Sequence, residues 1–253
     1  MKNCLTSVIL GSLLIVSILT GCEKETQDFT PGLTTDYMNL QVGKYIRYML
    51  DSTRFIAYGQ KDTVVRYQAK DVVEDSITDN LGRPGFRIVR YLRDFKSTND
   101  LDWKASLTYQ VIPTRGTLEV IETNFRFIKL AQPIEEGYSW KGNRYLPTEP
   151  YQNRFEFNND NYIDAWDYTY QDMGATLNIN NVDYDNTITV FQVKDSTIIE
   201  DGLSNVNYWI EKYAKNVGLV YKEARMWEEQ PTDSTRPAYR HGFGIKMTIL
   251  DHN

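Results

Sequence analysis

The chemistry open to this chain rests on few residues. Two histidines, His241 and His252, and two cysteines, Cys4 and Cys22, stand among 34 Asp and Glu in 253 residues. A Ser-His-Asp hydrolase needs a histidine base beside its nucleophile, and His252 is penultimate in the sequence, which leaves His241 in Tyr239-Arg240-His241-Gly242-Phe243. No G-x-S-x-G elbow accompanies it, and a lone histidine before glycine reads as a solvated turn residue. Paired-histidine metal spacings and H-E-x-x-H are absent from the sequence. Glycoside hydrolysis needs two carboxyl groups flanking a sugar bond. Glu135, Glu136, Asp164 and Asp167 are candidates by type, but their turn-like and alternating contexts read as solvated. The densest run of oxygen ligands, Asn158-Asn159-Asp160-Asn161-Tyr162-Ile163-Asp164, fails as a calcium loop, because Ile163 and Thr169 fall where glycine and an acid are required. The expectation is a protein without enzymatic activity, metal or cofactor.

Aromatic side chains are the other group able to carry function. Tyr151, Phe155, Phe157, Tyr162, Trp166, Tyr168 and Tyr170 cluster among Asn, Asp and Gln. Exposed, such rings stack on sugars or amphiphiles; buried, they form a core whose hydroxyls reach polar partners. Tyr162, Trp166, Tyr168 and Tyr170 share one face at strand spacing, and Tyr162, Trp166 and Tyr170 also share one at helical spacing. The buried core is the favoured reading, and these four are the candidate ligand-binding residues if the face is exposed.

Cys22 carries a different chemistry. Lys2 and an apolar run from Val8 to Leu19 precede Leu19-Thr20-Gly21-Cys22. That run has the length of a signal-peptide core and is short of the ~20 residues of a membrane span. The box resembles the bacterial lipobox, in which the cysteine is acylated and becomes the first mature residue. The expected organisation is a lipoprotein signal peptide over 1–21, a flexible polar tether over 22–35 and one domain over 36–253. Cleavage removes Lys2 and no acid, so the mature chain is one unit more acidic than the formal −6. A dispersed acidic charge excludes a nucleic-acid partner, which needs a clustered basic face. With Cys4 removed and Cys22 acylated, neither a cysteine nucleophile nor a disulfide is available. The expected partner is the outer membrane, through the N-terminal lipid. Glu23-Lys24-Glu25 after the cysteine resembles the surface-export signals of Bacteroidota lipoproteins, which favours display on the cell surface over a periplasmic face.

The elements that must position these residues are strands. Beyond the tether, Tyr, Trp, Val, Ile and Thr dominate, the types that suit a pleated, half-buried surface. Period-two alternation predicts strands over Gly43–Leu50, Thr63–Val73, Phe86–Leu92, Ser106–Ile112, Leu118–Glu122 and Phe125–Leu130. It predicts others over Tyr162–Tyr170, Thr187–Lys194, Tyr208–Tyr213, Leu219–Met226 and Phe243–Leu250, most of them separated by Asx- and Gly-rich turns. Asn216-Val217-Gly218 reverses the chain, with Leu219 and Tyr221 on one face and Val220 and Lys222 on the other, Lys222 being solvated. Tyr67-Gln68-Ala69-Lys70-Asp71 and Phe191-Gln192-Val193-Lys194-Asp195 echo one another, which two similar strands explain as well as a duplication does. The fold class expected is mainly β, a single antiparallel barrel or strongly curved sheet.

Three stretches resemble a family of Bacteroidota envelope lipoproteins. Val42-Gly43-Lys44-Tyr45-Ile46-Arg47-Tyr48 is similar to their VGNxWxY opening strand, with Lys44 and Ile46 in place of Asn and Trp. Gly137-Tyr138-Ser139-Trp140-Lys141-Gly142-Asn143 resembles their GxxWxGN turn. Tyr213-Ala214-Lys215-Asn216-Val217-Gly218-Leu219-Val220-Tyr221-Lys222-Glu223 resembles their YAxxVGLVxxE hairpin, the most specific of the three. The resemblance implies an antiparallel β-domain and no particular activity. Two functions follow as expectations: a binding protein for an apolar or glycan ligand, or a structural partner of an envelope complex. A carboxylate-based glycosidase is third.

Overall fold

The computed structural model describes residues 32–157 and 162–253. The expected signal peptide, Cys22 and all but the end of the expected tether lie outside the described residues, as do Asn158–Asn161 of the oxygen-rich run. Twelve strands are present: β1 (Tyr45–Ile56), β2 (Lys61–Thr78), β3 (Pro84–Asp94), β4 (Lys104–Pro113), β5 (Thr117–Glu122), β6 (Phe125–Ala131), β7 (Ser139–Lys141), β8 (Asp167–Ile179), β9 (Val182–Thr197), β10 (Ser204–Ala214), β11 (Gly218–Gln230) and β12 (Tyr239–His252). One short helix, α1 (Gln152–Phe155), lies between β7 and β8.

All twelve strands form one antiparallel sheet in the order β6-β5-β4-β3-β2-β1-β12-β11-β10-β9-β8-β7. Each half of the chain is a six-strand meander, and the halves meet where β1 pairs with β12. The sheet curls until its two edges nearly meet. There the Trp140 indole N–H on β7 donates to the Ile128 carbonyl on β6 at 2.8 Å, and the Ile128 N–H donates to the Gly142 carbonyl at 2.8 Å. The Tyr170 hydroxyl completes the seam: it accepts from the Ala131 N–H at 2.9 Å and donates to the Ala131 carbonyl at 2.8 Å. A barrel that closes its edges removes unpaired strand backbone from solvent. The mainly antiparallel, barrel-like fold is therefore as the alternation implies.

Differences from the expected elements have local causes. The Gly137–Asn143 stretch is not a plain turn but contains β7, too short for alternation to register. Its Gly142 leaves room for the Tyr168 ring, which a Cβ there would overlap. Tyr162–Tyr170 is not strand throughout: Tyr162 sits at φ 52° and Ile163–Ala165 is a 3-10 turn, so the strand begins at Asp167. Thr34 and Tyr37, in a 3-10 turn (Thr34–Tyr37) spanning the expected tether boundary, are buried. The two echoing segments fall on β2 and β9, which occupy non-equivalent places in the two meanders.

Bulges matter more than strand ends. Leu118 pairs with Leu130 and Glu119 with Ile128, which leaves Lys129 unpaired on β6. Tyr213 pairs with Leu219 and Lys212 with Tyr221, leaving Val220 unpaired on β11. A bulge shifts the phase of alternation and re-aims the side chains beyond it. Leu219 and Lys222, expected on opposite faces, consequently both line the barrel interior.

Candidate functional site

The interior holds an ion cluster that strict alternation would fill with apolar side chains. Asp71 on β2 receives both Nε and Nη2 of Arg90 on β3 at 2.6 Å, and the Tyr109 hydroxyl on β4 donates to it at 3.0 Å. Across the barrel, Lys129 Nζ on β6 reaches Glu211 Oε1 on β10 at 2.8 Å. Lys222 Nζ on β11 lies 3.3 Å from the same oxygen, and the Tyr213 hydroxyl donates to Oε2 at 2.8 Å. Glu211 is 2% exposed and Lys129 6%, so neither charge is shared with bulk water.

Burial and pairing oppose one another at these groups. Desolvation alone would raise the Glu211 carboxyl, but Lys129, Lys222 and the Tyr213 hydroxyl more than offset it and hold its pKa down to about 2. Burial lowers the Lys129 ammonium despite Glu211, and neighbouring Lys222 lowers it further. Burial would also lower Arg90, yet Asp71 keeps the guanidinium well above its ordinary value. Burial, then the adjacent carboxylates, push the hydroxyls of Tyr109 and Tyr213 far up, so both stay protonated donors.

A cavity with ≈ 80 Å³ of space open to a water-sized sphere lies against this cluster. Its ionisable wall comprises Lys44, Arg90, Lys129 and Lys222 against Asp71, Glu122 and Glu211, four cations to three carboxylates in a chain of formal charge −6. Aliphatic side chains complete the lining, among them Ile46, Leu118, Val73 beside Asp71 on β2, and Ile88 beside Arg90 on β3. Met38, Asn39, Leu40 and Lys44 line both this cavity and a groove on the outer surface, so the segment before β1 is a partition between the two. The Asn216 N–H donates to the Asp36 carbonyl at 2.6 Å and docks that segment on the β10–β11 hairpin. Chemically, the arrangement presents paired charges and apolar side chains to one small space.

The aromatic candidates are not brought to one exposed face. Tyr162 is 80% exposed, whereas Trp166, Tyr168 and Tyr170 are buried. The 3-10 turn separates Tyr162 from the strand that carries Tyr168 and Tyr170. Tyr168 donates to Asn143 Oδ1 at 2.6 Å, while Asn143 Nδ2 donates to the Ile163 carbonyl at 2.9 Å. Trp166 meets Trp209 edge-on at 5.6 Å. Trp166, Tyr168 and Tyr170 are core, and the hydroxyls of the two tyrosines are satisfied.

His241 is not a solvated turn residue. It lies on β12 with Nε2 at 3.3 Å from Glu228 Oε2 and Phe157 packed edge-on against the ring. Asp167 pairs with Lys141 at 2.8 Å on the surface, and Glu136 accepts from the Met173 N–H at 3.0 Å. None of Glu135, Glu136, Asp164 and Asp167 lines the interior cavity. Sequence reasoning missed Asp71, Arg90, Lys129, Glu211 and Lys222. A signal was present: Asp71 lies in phase with Ala69 and Val73, and Glu211 in phase with Trp209 and Tyr213.

No protein-family model and no curated protein matches the chain. Solved structures similar to it include the following two. One is a protein of Bacteroides fragilis, described as a candidate exported protein with a YmcC-like fold, at 11% identity over 85% of this chain and 99% of that one, with a TM-score of 0.36. The other is a DUF1329 family protein of Desulfovibrio piger, at 13% identity over 85% of this chain and 87% of that one, with a TM-score of 0.18.

Proposed function

We propose that this is a non-enzymatic, lipid-anchored envelope protein whose barrel interior binds a small amphiphile with an acidic head. The observation that carries the reading is a cavity lined both by an ion cluster with one excess cation and by aliphatic side chains. Buried ion clusters are usually no more stabilising than apolar side chains of the same volume, so a role in binding gives a reason for retaining one. The cavity has room for several waters or one head group. An apolar chain would extend by displacing Met38 and Leu40 of the partition. Lipid on Cys22 tethers the domain to the outer membrane, and the Glu23-Lys24-Glu25 run favours display outside. Protease shaving of intact cells tests that orientation, and protection of the domain until the membrane is broken would place it in the periplasm.

The binding test uses 1-anilinonaphthalene-8-sulfonate, an acidic apolar fluorophore, with octanoate as competitor. Wild type should enhance its fluorescence and octanoate should reverse the gain. The combined variant Lys129→Met, Glu211→Leu, Lys222→Met removes two cations and one anion while keeping the interior filled. A cooperatively folded combined variant that binds the fluorophore as wild type does would sink the reading. A structural role in an envelope complex is the second reading, supported by the apolar β9–β10 loop, where Ile198, Ile199 and Leu203 are exposed.

A further inference from the structure

A second concavity, ≈ 650 Å³, is built from three separate parts of the chain and shares no lining residue with the ionic cavity. The end of β1 and the β1–β2 turn contribute Phe55 and Tyr58, α1 contributes Arg154 and Phe155, and the start of β12 with the segment before it contributes Arg236, Tyr239 and Arg240. Its size lies within the range of small-molecule sites.

Each guanidinium lies on a ring. Arg154 sits 5.3 Å from the Phe155 centroid, Arg236 4.5 Å from Tyr239 and Arg240 5.8 Å from Phe55. Stacking fixes the guanidinium plane and leaves N–H edges for a planar anion. Arg240 is held by Glu229 at 3.1 Å and Asp62 at 3.6 Å, and Arg236 by Asp233 at 3.5 Å. Arg154 has no ion-pair partner among the described residues.

The backbone adds an independent observation. Ala57, Tyr58 and Gly59 are all left-handed, at φ 52°, 58° and 81°. A bulky residue in that region is strained, and such strain concentrates at functional sites. Tyr58 is nevertheless 96% exposed, so the turn displays an aromatic ring without burying it. The turn is also fixed in place. The Arg240 N–H donates to the Gly59 carbonyl at 2.8 Å, and a Cβ at Gly59 would overlap the Arg240 carbonyl. In the lining itself, His241 Nδ1 is buried without a hydrogen-bond partner among the described residues.

We infer that this groove binds an acidic oligosaccharide, with carboxylates on the stacked guanidinium groups and sugar faces on Tyr58 and its neighbours. Charge density selects this class over a nucleic acid. The continuous phosphate line of a polynucleotide would run against Asp62, Glu156, Glu229 and Asp233, whereas spaced sugar carboxylates can meet the arginines singly. The inference stands on residues separate from the interior cavity, so the two readings fail independently.

Calorimetry on the full-length protein in detergent, at low salt, tests it with tetragalacturonate, neutral maltotetraose and a short oligothymidylate as probes. Tetragalacturonate should bind at least about tenfold more tightly than either of the others. Arg154→Gln should weaken it by about tenfold or more, the loss of one charge-assisted contact. Tyr58→Ala should weaken it severalfold. Arg115→Gln, an exposed site away from the groove, should leave it unchanged. Thermal melts of the variants verify that the fold is intact. Absence of tetragalacturonate binding, equal binding by folded Arg154→Gln, or oligothymidylate binding as tight as the sugar's would each overturn the inference.

Discussion

Glu211 is the residue on which the interior most depends, because one carboxylate answers two ammonium groups and a phenol. Replacing it with Gln keeps the volume and leaves Lys129 and Lys222 without a counter-charge. Breaking a buried pair from one side costs about 3–5 kcal/mol, so Glu211→Gln should lower the urea midpoint far more than an average core substitution. An unchanged midpoint would mean that water reaches the lysines freely. The same carboxyl predicts an acid transition. Its folded pKa, about 2, lies below the ordinary 4.5, so the folded state holds that proton less tightly than the unfolded chain. Its contribution is complete above about pH 4.5 and is lost as pH falls toward 2, on the order of 3 kcal/mol. Urea melts from pH 6 to pH 2 should show this slope in wild type and lack that share of it in Glu211→Gln. Much of this was legible from phase. A charged residue in step with Trp209 and Tyr213 has to be inward, and so does Asp71 between Ala69 and Val73. The pairing of Lys129 with Glu211 was not legible, because it spans the barrel between strands that the sequence does not make neighbours.

At the scale of elements, the β10–β11 hairpin carries the most direct test. Gly218 has φ 115° and Asn216 φ 62°, as the Asn-Val-Gly reversal implies. A Cβ at Gly218 would lie 3.0 Å from Ile46 Cδ1. Gly218→Val should cost about 1–2 kcal/mol in strain, more for the crowded branch. Lys222→Ala departs from the expectation that strict alternation gives. The Val220 bulge turns Lys222 inward onto Glu211, so its loss should cost about 1–3 kcal/mol rather than nothing. Denaturant melts of the two variants separate turn geometry from ion pairing. Retention of full stability by Lys222→Ala would show that Lys129 alone satisfies Glu211. The strands themselves were legible because each presents at least one clear apolar phase. Bulges were not, since an extra residue leaves composition unchanged and alters only the partner's register.

For the whole molecule, the sequence conveyed the β class and curvature through its density of aromatic and β-branched residues. Closure of the barrel depends on β7, three residues long, and on a tyrosine hydroxyl that reaches Ala131, neither of which periodicity detects. In the proposed reading, the molecule's address rests on Cys22. Cys22→Ser should leave an unprocessed or mislocalised species, read by intact-mass measurement of protein recovered from cells. A mature wild-type chain beginning elsewhere than Cys22, without acyl mass, would end the lipoprotein reading.

The meeting of the two meanders at β1 and β12 imposes an order on synthesis. Arg47 and Asp251, paired in the sheet, stand 204 residues apart in sequence, so the central seam is the last to become available. A chain still emerging can form hairpins, but β1 and β11 each keep an open edge until residues 239–252 arrive. Nearly all the loop-closure entropy of that junction must be met at once, and topologies of this kind fold slowly. On the proposed envelope reading such a delay would be useful, because the topology would act as a timer keeping the chain unfolded until it has crossed the membrane. A chain ending at Gln230 should accordingly show no cooperative unfolding transition, and refolding of the whole chain from urea should be slow and single-phased rather than beginning with a stable N-terminal half.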